Sequence, residues 1–287
     1  MTSHANSSLQ RLPDHSVTGD SHKTVFLLHG AFGAKEYWVY QTAALVQAGY
    51  RVVAWDAPGY GLSPMPEEFS IESAAQACVA LIKSLGSEIN IVLGHSMGGM
   101  IAQRTFEYCP TEIHGLILSS TSAAFGSSDG VWQRKFVADR VAPLDAGKTI
   151  PEYAPIMLEK MFGPGMAGEG TELVTQVIAK MREETFRAAI QAVTKYEGRD
   201  ILSKINVPTL CIAGEHDASA APPSVMEKMA SKIVNAEFVC MSGVGHFGWA
   251  ENPRAYNEYM LSFLQRYFNG PSNNNREEIS HARKTPT

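Results

Sequence analysis

Much is missing from this chain of 287 residues. No apolar run approaches the ~20 residues of a membrane span. Positive charge is not in excess. Lys and Arg number 24 against 29 Asp and Glu, and the net charge of −5 is spread without an acidic or basic block. No basic stretch is interleaved with aromatics, so nucleic acid is not an expected partner. The four cysteines, Cys78, Cys109, Cys211 and Cys240, have neither metal-binding nor redox spacing. They fall in strand-like and helix-like apolar stretches, so reduced, buried thiols are expected. There is no His-Glu-x-x-His and no cysteine–histidine cluster, so neither a metal nor another cofactor is implied. The first ten residues are polar and lack an apolar signal core, which makes a cytoplasmic location the expectation. What is present is 45% hydrophobic residues, enough for a sizeable core. The length suits one large α/β domain with an inserted cap.

Read in order, residues 1–22 form a polar start with at most one short strand. Continuous apolar runs at 24–28, 51–55, 91–93, 114–118, 207–213 and 237–241 read as strands, most of them buried on both faces. Helical spacing falls between them at 36–48, 70–85, 223–231 and 253–268. Ser70 and Ser73 are candidate caps for the second of these. The alternation predicts a mostly parallel sheet with helices on both sides. The rhythm breaks between 122 and 205, where segments at about 131–141, 151–162, 171–181 and 183–196 look helical and no strand is evident. We therefore divide the chain into a core of 23–121 and 206–268, a helical cap of 122–205 and a disordered tail of 269–287.

The chemistry centres on Gly94-His95-Ser96-Met97-Gly98-Gly99. A buried strand runs straight into Gly-x-Ser-x-Gly and then into a helix. Such a turn forces the serine backbone into a strained conformation and exposes its hydroxyl at the sheet edge. Side chains at Gly94 and Gly98 would collide across the turn. A serine nucleophile needs a base, and the base needs an orienting acid. Of the nine histidines, four lie in the tails, His29 and His95 belong to tight turns, His114 begins a strand and His216 adjoins an acid. His246 follows the last strand at the carboxyl edge, where sites on parallel sheets form. The acid comes from Gly214-Glu215-His216-Asp217, and Asp217 is preferred over Glu215 because it lies further past the strand. The oxyanion donors are the Met97 N–H and, from His29-Gly30-Ala31-Phe32, the Ala31 N–H with Phe32 as alternative. Asp56 sits in a Pro/Gly loop, where bonding its own backbone is the expected role. Phe32, Phe125, Trp132 and Trp249 are candidate apolar walls by position.

His29-Gly30, the loop from Asp56 to Ser63, the motif at 94–99, Gly214 to Asp217 and Gly245-His246-Phe247 together resemble the α/β-hydrolase superfamily over about residues 24–268. The resemblance implies an eight-stranded sheet with a cap inserted after the sixth strand. Members usually open with two antiparallel strands, and residues 1–22 are too short and polar for both, so that pair is expected to be shortened. The stretch from Ser119 to Gly126, followed by Trp132, is similar to 3-oxoadipate enol-lactonases and related esterases. That likeness implies that Trp132 lines the pocket and that Arg134 or Lys135 meets a substrate carboxylate.

The expected activity is cofactor-free hydrolysis of a small carboxylic ester or lactone by Ser96, His246 and Asp217. Rivals are a carbon–carbon bond hydrolase of vinylogous diketones, a cofactor-independent dioxygenase and a ligand receptor on the same scaffold. Dehalogenase and epoxide hydrolase chemistry would place a carboxylate where Ser96 stands.

Overall fold

The computed structural model describes residues 12–126, 129–218 and 220–269. The expected tail beyond 269 and most of the polar start fall outside these residues. The apolar runs form strands β2 (Lys23–Leu28), β3 (Arg51–Trp55), β4 (Ile89–His95), β5 (Gly115–Ser119), β6 (Thr209–Gly214) and β7 (Ala236–Met241). A short strand, β1 (His15–Thr18), precedes them. The sheet order is β1-β3-β2-β4-β5-β6-β7. Only the β1–β3 pairing is antiparallel. Seven strands are therefore present among the described residues, not eight. The helical insertion follows the fifth of them rather than the sixth, because one strand of the N-terminal pair is missing from the count.

Helices α1 (Val39–Gln47), α2 (Ile71–Leu85), α3 (Met97–Tyr108), α8 (Pro223–Ala230), α9 (Gly248–Glu251) and α10 (Pro253–Phe268) belong to the sheet-bearing part. Helices α4 (Val131–Asp145), α5 (Ile150–Glu159), α6 (Glu169–Ala179) and α7 (Glu183–Lys195) form the insertion. Ser70 and Ser73 form a reciprocal capping box at the start of α2, which satisfies two N–H groups that a helix start leaves without partners. The segment before α1 opens as a 3-10 turn, Lys35–Trp38. Helix α4 runs past the expected end at 141 and includes Pro143 in its last turn.

Strands β5 and β6 are buried throughout, as a sheet covered on both faces requires. At the edge, β7 is only partly covered. Cys240 on it is exposed, against the expectation of a buried thiol, while Cys78, Cys109 and Cys211 are buried, and all four are free. No helix among the described residues is long and apolar enough to cross a membrane.

Register decides what meets at the carboxyl edge. Leu28 lies beside Gly94, His95 beside Ser119, Ser119 beside Ile212 and Gly214 beside Met241. The loops that begin at His29, Ser96, Ser120, Glu215 and Ser242 therefore leave the sheet side by side.

Candidate active site

Ser96 stands between β4 and α3 with φ 54° and ψ −119°, a left-handed backbone that a non-glycine residue adopts only when its surroundings over-determine it. Here they do. The Ser96 N–H donates to the Ser119 carbonyl at 2.8 Å, and the Thr121 hydroxyl donates to the Ser96 carbonyl at 2.7 Å. A Cβ at Gly94 would lie 2.2 Å from the Gly98 carbonyl oxygen, and one at Gly98 2.2 Å from that of Leu28. Both glycines are thus required by the close approach of backbone to backbone. Among the described residues the Ser96 hydroxyl, which is half-buried, makes no hydrogen bond.

His246 lies on the loop after β7. Its Nδ1 is 2.6 Å from Asp217 Oδ2, and both side chains are almost wholly buried. That bond leaves Nε2 for the pocket. Burial works to raise the Asp217 carboxyl, but the charge and hydrogen bond of His246 and the N–H groups of Ala221 and Ala220 outweigh it and hold the group below the ordinary carboxylate range. Glu215 instead accepts from the Ser242 hydroxyl and the Gly243 N–H, both at 2.8 Å, and so braces the histidine loop from outside. Glu251 braces the loop from inside. Its carboxylate accepts from Gly245 and Phe247 N–H and from Gly163 N–H of the insertion, at 2.9, 2.9 and 2.7 Å. The His246 N–H donates to the Met161 carbonyl at 2.7 Å.

The turn after β2 is held from behind. The Ala57 N–H donates to His29 Nε2 at 3.0 Å, so the His29 proton is on Nδ1 and is given to the Gly30 carbonyl at 2.8 Å. The Tyr60 hydroxyl donates to the Ala31 carbonyl at 2.9 Å. In a trans peptide the N–H points away from its carbonyl. Holding these two carbonyls therefore turns the Ala31 and Phe32 N–H groups to the other side. Neither N–H, nor that of Met97 at the first position of α3, donates a bond to any described residue. Asp56 does not serve its own loop's backbone. It accepts from the Lys35 N–H at 2.9 Å and from the Lys35 ammonium at 2.6 Å, and that ammonium also meets Asp14 at 2.6 Å.

Ala31, Phe32, Ser96 and His246 line one pocket enclosing about 420 Å³ of empty space, open water at its mouth included. Phe125 lines it too. Two expected walls do not. Trp249 is fully buried, stacked on Tyr37 at 4.2 Å, and supports the fold behind the site. Trp132 is 40% exposed and packs on the outer side of Phe136 and Phe125. Arg134 faces an outer groove, and Lys135 pairs with Asp139 in solvent. The insertion contributes Phe136, Arg140, Met161, Ile190 and Val193 instead. Sequence reasoning missed these. The apolar residues of α4 do not gather on one stripe, so no face of that helix is marked as inward.

The family model of the alpha/beta hydrolase family matches residues 25–259. The chain belongs to that family. Two curated members are similar over most of their length. A pimeloyl-[acyl-carrier protein] methyl ester esterase of Neisseria meningitidis is 24% identical over 92% of this chain and 84% of its own. The 3-oxoadipate enol-lactonase 2 of Acinetobacter baylyi is 22% identical over 88% and 93%. Among solved structures, a thermophilic esterase from Thermogutta terrifontis superposes with a TM-score of 0.78 at 27% identity, covering 88% of this chain and 93% of that one. The family is thus the one that the motifs resemble.

Proposed function

We propose that this hydrolase cleaves a small carboxylic ester or lactone through an acyl-enzyme on Ser96. The supporting observation is the sharing of one pocket by an elbow serine and an imidazole whose far nitrogen is engaged by a buried carboxylate. His246 Nε2 takes the Ser96 proton as Oγ bonds to the carbonyl carbon. The oxyanion is met by the free N–H groups of Ala31 and Met97, donors of a kind that each contribute ~10²–10³ in rate. The carbon–oxygen bond to the alcohol breaks, and the imidazolium, steadied by Asp217, gives its proton to the leaving alkoxide. Water then attacks the acyl-enzyme with His246 as base, which releases the acid and restores Ser96. The named activities of the esterase and lactonase relatives agree with this reaction class. The test is hydrolysis of p-nitrophenyl acetate by the parent and by Ser96→Ala, with fluorophosphonate labelling of both. Turnover should fall by a factor of ~10³ or more and labelling should vanish. Turnover that survives the substitution would favour chemistry by His246 and Asp217 alone, as in a cofactor-independent oxygenase.

A further inference from the structure

The peptide planes of the turn after β2 are held by different side chains, and unequally. The Gly30 N–H donates to the Tyr37 hydroxyl at 2.7 Å. The Gly30 carbonyl has two donors, His29 Nδ1 at 2.8 Å and the Gly33 N–H at 3.1 Å. The Ala31 carbonyl has a single donor among the described residues, the Tyr60 hydroxyl at 2.9 Å. The plane that joins Ala31 to Phe32, both of which line the pocket, therefore hangs on one hydroxyl. The same oxygen lies 3.9 Å from the Met97 sulfur, so Tyr60 touches both residues assigned as oxyanion donors. Tyr60 is itself buried and firmly placed. Its ring packs on His29 and Phe69, with centroids 4.5 and 6.1 Å apart. Its N–H donates to the Ala57 carbonyl at 2.9 Å, and its carbonyl accepts from the Ser63 N–H at 2.8 Å. The insertion grips the preceding residue, because the Thr185 hydroxyl, at 2.6 Å, and the Arg182 guanidinium both donate to the Gly59 carbonyl.

We infer that Tyr60 is a positioning residue for the oxyanion hole, whose hydroxyl keeps the Ala31 carbonyl behind the turn and out of the pocket. The reason is charge. A carbonyl oxygen is the negative end of the peptide dipole, and turned toward Ser96 it would repel the anion that forms on the substrate. A buried carbonyl stripped of its donor gains by turning to find another. Tyr60 does not line the pocket, so it acts on the reaction only through the turn. The oxyanion exists after Ser96 Oγ has bonded to the carbonyl carbon and not before. What Tyr60 contributes is thus felt in the transition state and not in substrate binding. The inference rests on Ser96 being the nucleophile and on this turn supplying an oxyanion donor.

The experiment compares Tyr60→Phe, which keeps the ring and loses only the donor, with the parent on p-nitrophenyl acetate. Rates are taken per active site, counted by fluorophosphonate labelling, so that any unfolded fraction drops out. Tyr60→Met, also without a donor but with a side chain that adapts to the space, is run beside it. In both variants kcat should fall by about 10–100-fold, short of the ~10²–10³ for an oxyanion donor lost outright, while KM stays within about twofold. Acylation and deacylation each pass through an oxyanion, so the loss appears whichever step limits. A short alkyl trifluoromethyl ketone gives a second readout. Ser96 Oγ adds to its carbonyl carbon, the serine proton passes to His246, and the ketone oxygen becomes an anion in the hole. Its affinity should weaken by about the same factor as kcat, and that of the product acetate should not change. The fall of kcat/KM with acidification should keep its midpoint, because the bond between His246 and Asp217 is untouched. A parental kcat per active site in Tyr60→Phe overturns the inference, as does a loss carried by KM or a shifted midpoint. If turnover still depends on Ser96 in that case, the hydrolase reading stands and only the role of Tyr60 falls. If Ser96→Ala leaves turnover intact, the reading itself falls.

Discussion

Mild acid will destabilise this fold through two histidines that it keeps uncharged. His29 and His95 are buried. Burial lowers the His29 pKa by more than its bond to the Gly30 carbonyl and the charge of Asp56 raise it. His29 Nε2 is already occupied as an acceptor from Ala57, so a second proton would break that bond. His95 is pushed well below its ordinary value, first by burial and then by the neighbouring His246, whose ring lies 4.8 Å away. Neither ring nitrogen of His95 reaches a partner in good hydrogen-bonding geometry, although the Ser119 backbone lies beside it. In the unfolded chain both rings titrate at about 6.5. Below that pH the unfolded state takes up protons that the folded state refuses. Stability therefore falls as pH falls, and levels off once the folded pKa values are reached. While a ring stays neutral in the fold, its contribution approaches about 1.4 kcal/mol per pH unit. The two together give up to ~2.7 kcal/mol between pH 7.5 and 5.5, about 2 kcal/mol of it below pH 6.5, a large share of a typical 5–15 kcal/mol. The carboxylates act in a different window. Asp217 and Asp14 are lowered in the fold, so what they contribute is present above about pH 4 and is lost only as pH falls through their folded values. Urea unfolding at pH 7.5, 6.5 and 5.5 measures the effect. His95→Phe removes one titrating ring in a largely apolar setting and should flatten the dependence by about half. A midpoint that does not move between pH 7.5 and 5.5 would refute the reasoning, as would an undiminished slope in both His95→Phe and His29→Asn.

Two further substitutions test the supports of the site. Glu251→Ala strips the acceptor from three N–H groups on the histidine loop and the insertion, and should lower the urea-unfolding free energy by about 3 kcal/mol or more. A variant as stable as the parent would show that the loop holds its shape without that carboxylate. Lys35→Met leaves Asp56, which is fully buried, and Asp14 without their shared cation, and should cost roughly 3 kcal/mol in the same assay. Added salt should not rescue it, because the Asp56 charge is shielded from solvent.

The parts of the site that the chain order disclosed are those governed by local backbone chemistry. Gly94 and Gly98 flank Ser96 because no side chain fits there, and a requirement of that kind is written directly in residue types. Loop reach alone favours Asp217 over Glu215, and the fold puts Asp217 on His246 and Glu215 on the outer side of the same loop. The pocket walls were poorly legible. Trp249 and Trp132 are both large and apolar, and nothing local distinguishes a tryptophan that faces a cavity from one packed behind it. Arg140 is not legible in the sequence because a lone arginine on a helix without a marked apolar face looks like any solvated cation.

By itself, the sequence determined the alternation of strands and helices, the strained elbow at Ser96 and the order of the three loops that carry Ser96, Asp217 and His246. Each of these follows from periodicity or from the conformations that glycine alone permits, which are properties of a few adjacent residues. Only the tertiary structure decided that the insertion lowers Phe136, Arg140 and Met161 onto the elbow, and that Lys35, Asp14 and Asp56 share one charge network. Those are contacts between segments far apart in the chain, and which face of a helix turns inward depends on what the rest of the fold leaves for it to cover.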